Sequence, residues 1–184
     1  MGRITLVTGG CRSGKSACAQ RRAEQAHVQR VYIATCPVID NEIKDRIKRH
    51  QSDRAERNWS TIEATTEVAE ALETAGDAAV LIDCLTLWVN NLQYEAKQKN
   101  AFLGEDELIG MSSAVLDAAR RHAHEVVLVT NEVGSGIVPE NTLARHFRDL
   151  AGRCNQVFAR EADEVVLMVS GIPVSIKSSG ANAS

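Results

Sequence analysis

Eight residues near the start of the chain, Gly9-Gly10-Cys11-Arg12-Ser13-Gly14-Lys15-Ser16, read G-x-x-x-x-G-K-S. The glycines let the backbone turn tightly, so that several N–H groups converge on one concavity suited to a phosphate chain. A following helix would add the positive end of its dipole. In that setting Lys15 reaches the β- and γ-phosphates and the Ser16 hydroxyl ligates Mg²⁺. The motif follows the apolar run Ile4-Thr5-Leu6-Val7-Thr8 and precedes an amphipathic stretch rich in Ala, Gln and Arg. Strand, glycine turn and helix start are the context a phosphate-binding loop requires.

Three further stretches carry groups that could do chemistry. Ala78-Ala79-Val80-Leu81-Ile82-Asp83 is a buried strand ending in a carboxylate, where a phosphate-loop protein holds or orients Mg²⁺. The same Asp could instead cap a helix starting near Leu85. Beyond the second strand, Ile39, Ile43 and Ile47 recur every four residues, and His50 falls close to their direction. Spacing alone leaves two readings of His50, a hydrogen-bonded core residue or a catalytic imidazole. Finally, Val126–Thr130 runs into Asn131-Glu132-Val133-Gly134-Ser135-Gly136-Ile137-Val138-Pro139-Glu140-Asn141, a shaped loop at a strand end, where open α/β sheets bind ligands. His146, on the helix after that loop, reads as part of that helix's solvated charged side.

The elements that must position these groups follow from hydrophobic pattern. Short apolar runs at 3–8, 30–35, 79–83, 125–130 and 164–169 predict strands buried on both faces. Helical patterns between them imply right-handed βαβ units and a mostly parallel sheet. Leu143, Phe147, Leu150, Ala151, Cys154 and Phe158 form one helical stripe. The polar segment 95–107 predicts a surface excursion. One α/β domain is expected over 1–177, with 178–184 a disordered tail of small polar residues.

Composition narrows the classes. The chain has 184 residues, 44% hydrophobic and 24% charged, as expected of a globular protein. Its net charge of -3 gives no electrostatic case for nucleic-acid binding. No apolar run is long enough for a membrane span, and the early strand predicts no signal peptide. Cys11, Cys18, Cys36, Cys84 and Cys154 are scattered and without C-x-x-C, which predicts free thiols in a cytoplasmic protein.

Taken together these stretches resemble the bifunctional adenosylcobinamide kinase/adenosylcobinamide-phosphate guanylyltransferase family of cobalamin biosynthesis. The resemblance rests on Leu-Val-Thr-Gly-Gly-x-Arg-Ser-Gly-Lys-Ser at 6–16 and Tyr-Ile-Ala-Thr at 32–35. It continues through Glu42, Arg46-Ile47-x-x-His50-x-x-x-Arg54, Trp59 and Glu63. The most specific parts are Thr130–Asn141 and Leu143–Arg153, and Val169-Ser170-Gly171-Ile172-Pro173 also fits. Cys11 stands where Ala is commoner, Ala55 where Pro is often found, and Asp83 where Glu also occurs, which shortens the carboxylate reach.

The resemblance implies a P-loop NTPase-like three-layer fold, a homotrimer, and two reactions. Adenosylcobinamide is phosphorylated by ATP or GTP. GMP then passes from GTP to adenosylcobinamide phosphate through a histidine–GMP intermediate, which by motif position is on His50. It further implies a guanine-nucleotide site lined by Ala34, Thr35, Cys36, Gln51, Ser52, Asp53, Arg54, Glu63 and Asp83 beside the phosphate loop, with Mg²⁺ on Ser16 and Asp83. The 131–141 loop and Arg145 would face the corrinoid. The competing expectations are a single-activity small-molecule kinase, which needs no covalent His50, and a GTP-binding switch. Against the switch, the chain has no N-K-x-D and no D-x-x-G after the third strand.

Overall fold

The computed structural model describes residues 2–37 and 57–178. The helix expected from about Val38, with Glu42, Arg46, His50, Gln51, Ser52, Asp53 and Arg54, lies outside the described residues, as does most of the expected tail.

The elements run β1 (Ile4–Gly9), α1 (Lys15–Ala26), β2 (Arg30–Ala34), β3 (Trp59–Glu63), α2 (Val68–Glu73), β4 (Ala79–Asp83), α3 (Leu85–Gln98), α4 (Glu105–Arg121), β5 (Val126–Asn131), α5 (Thr142–Glu161), β6 (Glu164–Val169) and β7 (Ile172–Lys177). The strands form one sheet in the order β3-β2-β4-β5-β1-β6-β7. All neighbours are parallel except β6 and β7. This is the α/β architecture with a mostly parallel sheet that the sequence predicts.

Alternation along the strands separates two cores. Ile4, Leu6, Val31, Ile33, Val80, Ile82, Val126 and Leu128 turn to one face, where they pack with residues of α2, α3, α4 and α5. Val7, Ala79, Leu81, Val127, Val129, Val166 and Met168 turn to the other, against Ala19 and Ala23 of α1. Both alanines are fully buried, and their small side chains let α1 lie close to the sheet. Burial on both faces explains why β1, β4 and β5 read as continuous apolar runs.

Two strands were not foreseen. β3 is an edge strand whose sequence Trp-Ser-Thr-Ile-Glu buries mainly Trp59, so its apolar signal is thin. β7 joins β6 through Ser170 and Gly171, with φ of 51° and 86°. Two successive positive φ values are what a two-residue hairpin turn requires. Pro173 sits on the outer strand of that hairpin, where a missing N–H is tolerated.

The excursion expected at 95–107 is smaller than the sequence suggests. Helix α3 continues to Gln98 and α4 begins at Glu105. Between them Leu103 is buried in the core, so the connection is pinned rather than looped out.

Candidate nucleotide site

The phosphate-loop motif lies between the carboxyl end of β1 and the first turn of α1. Gly14 caps α1 at φ 91°, a conformation that strains any residue with a Cβ. At Gly9 the constraint is space: an added Cβ would stand 2.6 Å from Ser13 Oγ and 2.7 Å from the Met168 carbonyl oxygen. The loop is closed by Ser13 N–H donating to Gly10 O at 3.3 Å. It is tied to its neighbours by Gly171 N–H donating to Ser13 O at 3.0 Å and Glu132 N–H to Gly9 O at 3.1 Å.

Lys15 Nζ donates to Gly10 O at 3.1 Å, which keeps the ammonium folded back over the loop. Ser16 lies in the first turn of α1 and is exposed, as are Cys11 and Arg12. Ser13 is buried, and its Oγ has no hydrogen-bond partner among the described residues. Most buried hydroxyls are paired. An unpaired donor inside a glycine cradle fits a loop built around an acceptor-rich ligand such as a phosphate.

The carboxylates come to the same side. Register pairs Glu63 with Ala34 and Ala34 with Asp83, across the carboxyl ends of β3, β2 and β4. Their neighbours Ile33 and Ile82 belong to the core on the opposite face. Glu63, Ala34 and Asp83 therefore point to the face that carries α1. Hydroxyl and carboxylate oxygens of this kind are hard ligands suited to Mg²⁺. Ser16 and Asp83 fit such an ion in chemical type. Asp83 does not cap α3; Cys84 holds that position, without a side-chain cap.

Thr35 has a different place from a ligand-facing residue. It is fully buried. Its hydroxyl donates to Cys84 O at 2.8 Å and accepts from Cys84 N–H at 2.7 Å. Its carbonyl accepts from Asn91 Nδ2 at 2.8 Å. Thr35 thus braces the end of β2 against the start of α3 and sets where Ala34 and Asp83 stand. Cys84, buried beside Asp83, has its thiol pushed up to about 11, first by burial and then by that carboxylate, and stays protonated at neutral pH. Cys36 is half-buried at the start of the segment beyond β2.

Sequence reading missed a second brace. Thr86 Oγ1 lies 3.2 Å from Thr130 Oγ1 and accepts from Asn131 N–H at 2.7 Å. Asn155 Oδ1 accepts from Thr130 at 2.6 Å, while its Nδ2 donates to Asn131 O at 3.1 Å. These bonds join α3, β5 and α5 directly behind the 131–141 loop. A hydroxyl at a strand end and an Asn within a helix carry no sequence signal of their own, because each works only through partners distant in the chain.

That loop opens onto a cleft of about 630 Å³ lined by Gly134, Val138, Arg145, Arg148, Arg153 and Gln156, among others. Arg145 Nη1 donates to Pro139 O at 3.0 Å and Arg148 Nη2 to Gly134 O at 2.6 Å. The arginines thereby hold the loop's shape, and Glu105 and Asp149 share the wall with them, Glu105 paired with Arg153 at 2.7 Å. The Glu132–Gly9 bond ties the start of the 131–141 loop to the end of β1, while no phosphate-loop residue lines the cleft. His146 faces elsewhere, with Nε2 3.0 Å from Leu103 O and its ring stacked on Phe102, a packed position where the sequence predicts a solvated one.

Fold and loop together define a P-loop nucleotide-binding α/β protein. Residues 5–176 match the profile of the family described as cobinamide kinase / cobinamide phosphate guanyltransferase, CobU. The chain is 45% identical over 182 residues to the bifunctional adenosylcobalamin biosynthesis protein CobU of Salmonella typhimurium, covering 95% of this chain and 99% of that one. It is 42% identical to the Escherichia coli protein of the same name over the same shares. Against the bifunctional adenosylcobalamin biosynthesis protein CobP of Pseudomonas aeruginosa it is 35% identical, over 94% of this chain and 96% of that one. The chain belongs to the cobinamide kinase / cobinamide phosphate guanyltransferase family, as its motifs predict.

Proposed function

We propose that this chain, as one catalytic domain over 1–177, carries out both reactions of its family. In the first, the aminopropanol hydroxyl of adenosylcobinamide attacks the γ-phosphorus of a nucleoside triphosphate, and the nucleoside diphosphate leaves. In the second, a neutral His50 ring nitrogen attacks the α-phosphorus of GTP and pyrophosphate leaves. A phosphate oxygen of adenosylcobinamide phosphate then attacks that phosphorus, the P–N bond breaks, and adenosylcobinamide-GDP is formed. The observation that carries this reading is the cradle itself, with its family match along almost the whole chain.

The residues divide the work by position. The 10–14 backbone and the start of α1 receive the phosphates, and Lys15 leaves Gly10 O to pair with their charge. Arg12 adds a second cation. Ser16 and Asp83 would hold Mg²⁺, which when bound neutralises charge on the triphosphate and leaving group. Ala34, Cys36, Gln51, Ser52, Asp53, Arg54 and Glu63 line the guanine nucleotide, with Thr35 positioning the row. Phosphoryl and nucleotidyl transfer both rest on alignment and charge stabilisation, so one cradle serves both. The 131–141 loop and Arg145 take the corrinoid. Assembly as a homotrimer belongs to the same reading. Among the described residues no helix is long and apolar enough to cross a membrane.

The test is product analysis. Protein incubated with adenosylcobinamide and ATP should give adenosylcobinamide phosphate, and added GTP should convert it to adenosylcobinamide-GDP with pyrophosphate released. Phosphate product that never advances with GTP would reduce the reading to a single-activity kinase. Slow GTP hydrolysis with no change in the corrinoid would leave a GTP-binding switch.

A further inference from the structure

Three of the chain's five histidines meet at the end of the sheet opposite the phosphate loop. His27 follows α1, and Asp77 lies in the connection before β4. His122 and His124 lie between α4 and β5. One potential ligand atom from each of His27, Asp77 and His124 lies within 4.8 Å of the other two. The His27 and His124 rings stack at 4.2 Å, and His122 meets His124 edge-on at 6.3 Å.

We propose that His27, Asp77 and His124 form a binding site for a divalent transition-metal ion of the zinc class, separate from the nucleotide site. Two imidazoles and a carboxylate are the donor set of zinc, not of Mg²⁺ or Ca²⁺, which take oxygen ligands. His124 Nε2 contacts Asp77 Oδ1, which brings an imidazole and a carboxylate together, and an ion would take the place of the proton between them. His27 Nδ1 lies 3.2 Å from Gln29 O and, in the other tautomer, accepts from Gln29 N–H at 3.1 Å. In the tautomer whose Nδ1–H donates to that carbonyl, Nε2 keeps its lone pair. A backbone acceptor behind the ring is how metal-binding imidazoles are held in orientation. Nearby, His122 Nε2 donates to Ala78 O at 2.7 Å, fixing the connection that carries His124. The three ligands have intermediate, exposed and intermediate burial, so an ion has a path in.

The ion would join the connections before β2, β4 and β5. These are already laced together by Ala79 N–H donating to Gln29 O and Val80 N–H to Glu125 O, both at 3.0 Å. A ligand that binds only the folded chain raises its melting temperature. Because protons compete for imidazole lone pairs, binding should weaken as pH falls through the histidine range.

The test is titration of the tag-free full-length chain with Zn²⁺ alone, followed by calorimetry and thermal unfolding, with Co²⁺ as a spectroscopic substitute. The expected result is saturable binding of a single equivalent at micromolar metal and neutral pH, with a higher melting temperature. Binding should be lost in His27→Gln and His124→Gln and unchanged in His146→Gln. Asp77→Asn, a near-isosteric change at a side chain 86% exposed, should weaken binding. GTP turnover should be retained in all of these variants. Metal binding that survives His27→Gln and His124→Gln, as thiol ligation would, overturns the proposal. So does the absence of saturable binding at micromolar metal.

Discussion

At the scale of single residues, Lys15 and Cys11 separate charge from space. Lys15 brings a mobile ammonium to the loop, held by one bond to Gly10 O. Lys15→Ala should lower kcat/KM of both reactions by about 10²–10³, the usual cost of losing one charge-stabilising donor. Steady-state assays of each step check this; a loss confined to one step would mean the two reactions do not share the cradle. Cys11 is exposed within the same loop. Cys84 and Cys154 are buried, and burial pushes their thiols up to about 11 and about 12. Only a thiolate is an effective nucleophile. Iodoacetamide should therefore modify Cys11 well before Cys84 and Cys154, and saturating GTP should protect it. Mass mapping of the native protein reads both effects, and equal labelling with and without GTP would place the nucleotide elsewhere.

At the scale of elements, the sheet is held by signals of unequal strength. Helix α5 shows a strong one: Leu150, Ala151, Cys154, Val157 and Phe158 are buried at helical spacing. Leu143, expected on the same stripe, is 46% exposed, because the first turn of α5 projects beyond the core. That turn is held instead by Asn141, whose side chain accepts from Ala144 N–H at 3.1 Å. Asn141→Ala should cost about 1 kcal/mol of stability, as loss of a helix N-cap does. Chemical denaturation measures it, and an unchanged midpoint would show the cap to be replaced by water. The strands buried on both faces were legible as apolar runs, and so was the glycine loop. Edge strands β3 and β7 were not, since β3 buries only Trp59 and β7 buries no residue. For β7 the Ser170-Gly171 pair was the available cue, a turn dipeptide directly after an apolar strand. The threonine and asparagine braces behind the site were illegible for another reason, because hydrogen bonds between distant residues leave no period in a sequence.

At the scale of the whole molecule, ion pairs and backbone bonds gather where the strands begin. Arg22 pairs with Glu125 at 3.1 Å and with Glu164, and Arg3 with Glu164 at 2.6 Å. Asp163 accepts from Ile4 N–H at 2.7 Å and from Arg120 Nη1 at 2.6 Å, joining β1, α4 and the turn after α5. Burial alone would raise the Asp163 carboxyl, but the Arg120 and Ile4 bonds outweigh it and hold it below its ordinary value. A carboxyl depressed in the folded state stabilises fully above its unfolded pKa, about 3.9, and loses that contribution as pH falls through the folded value. Asp163→Asn should therefore destabilise at neutral pH and flatten the loss of stability on the acid side. Denaturation midpoints across the acidic range test this; parallel curves for the two proteins would remove Asp163 from the account. The ion pairs of Arg3, Arg22 and Arg120 thus lie at one end of the sheet and the phosphate loop at the other. Glu63, Ala34, Asp83 and the phosphate loop line the carboxyl ends, facing α1.

The central claim is that this cradle passes GMP through His50. The most direct measurement is incubation with GTP labelled at the α-phosphate, followed by denaturation and peptide mapping of the chain and of His50→Ala. The account predicts an acid-labile, base-stable label on the peptide that holds His50. The label should be absent from His50→Ala, which should keep part of its kinase activity. A label that persists in His50→Ala, or none at all on folded protein with Mg²⁺ present, would contradict it.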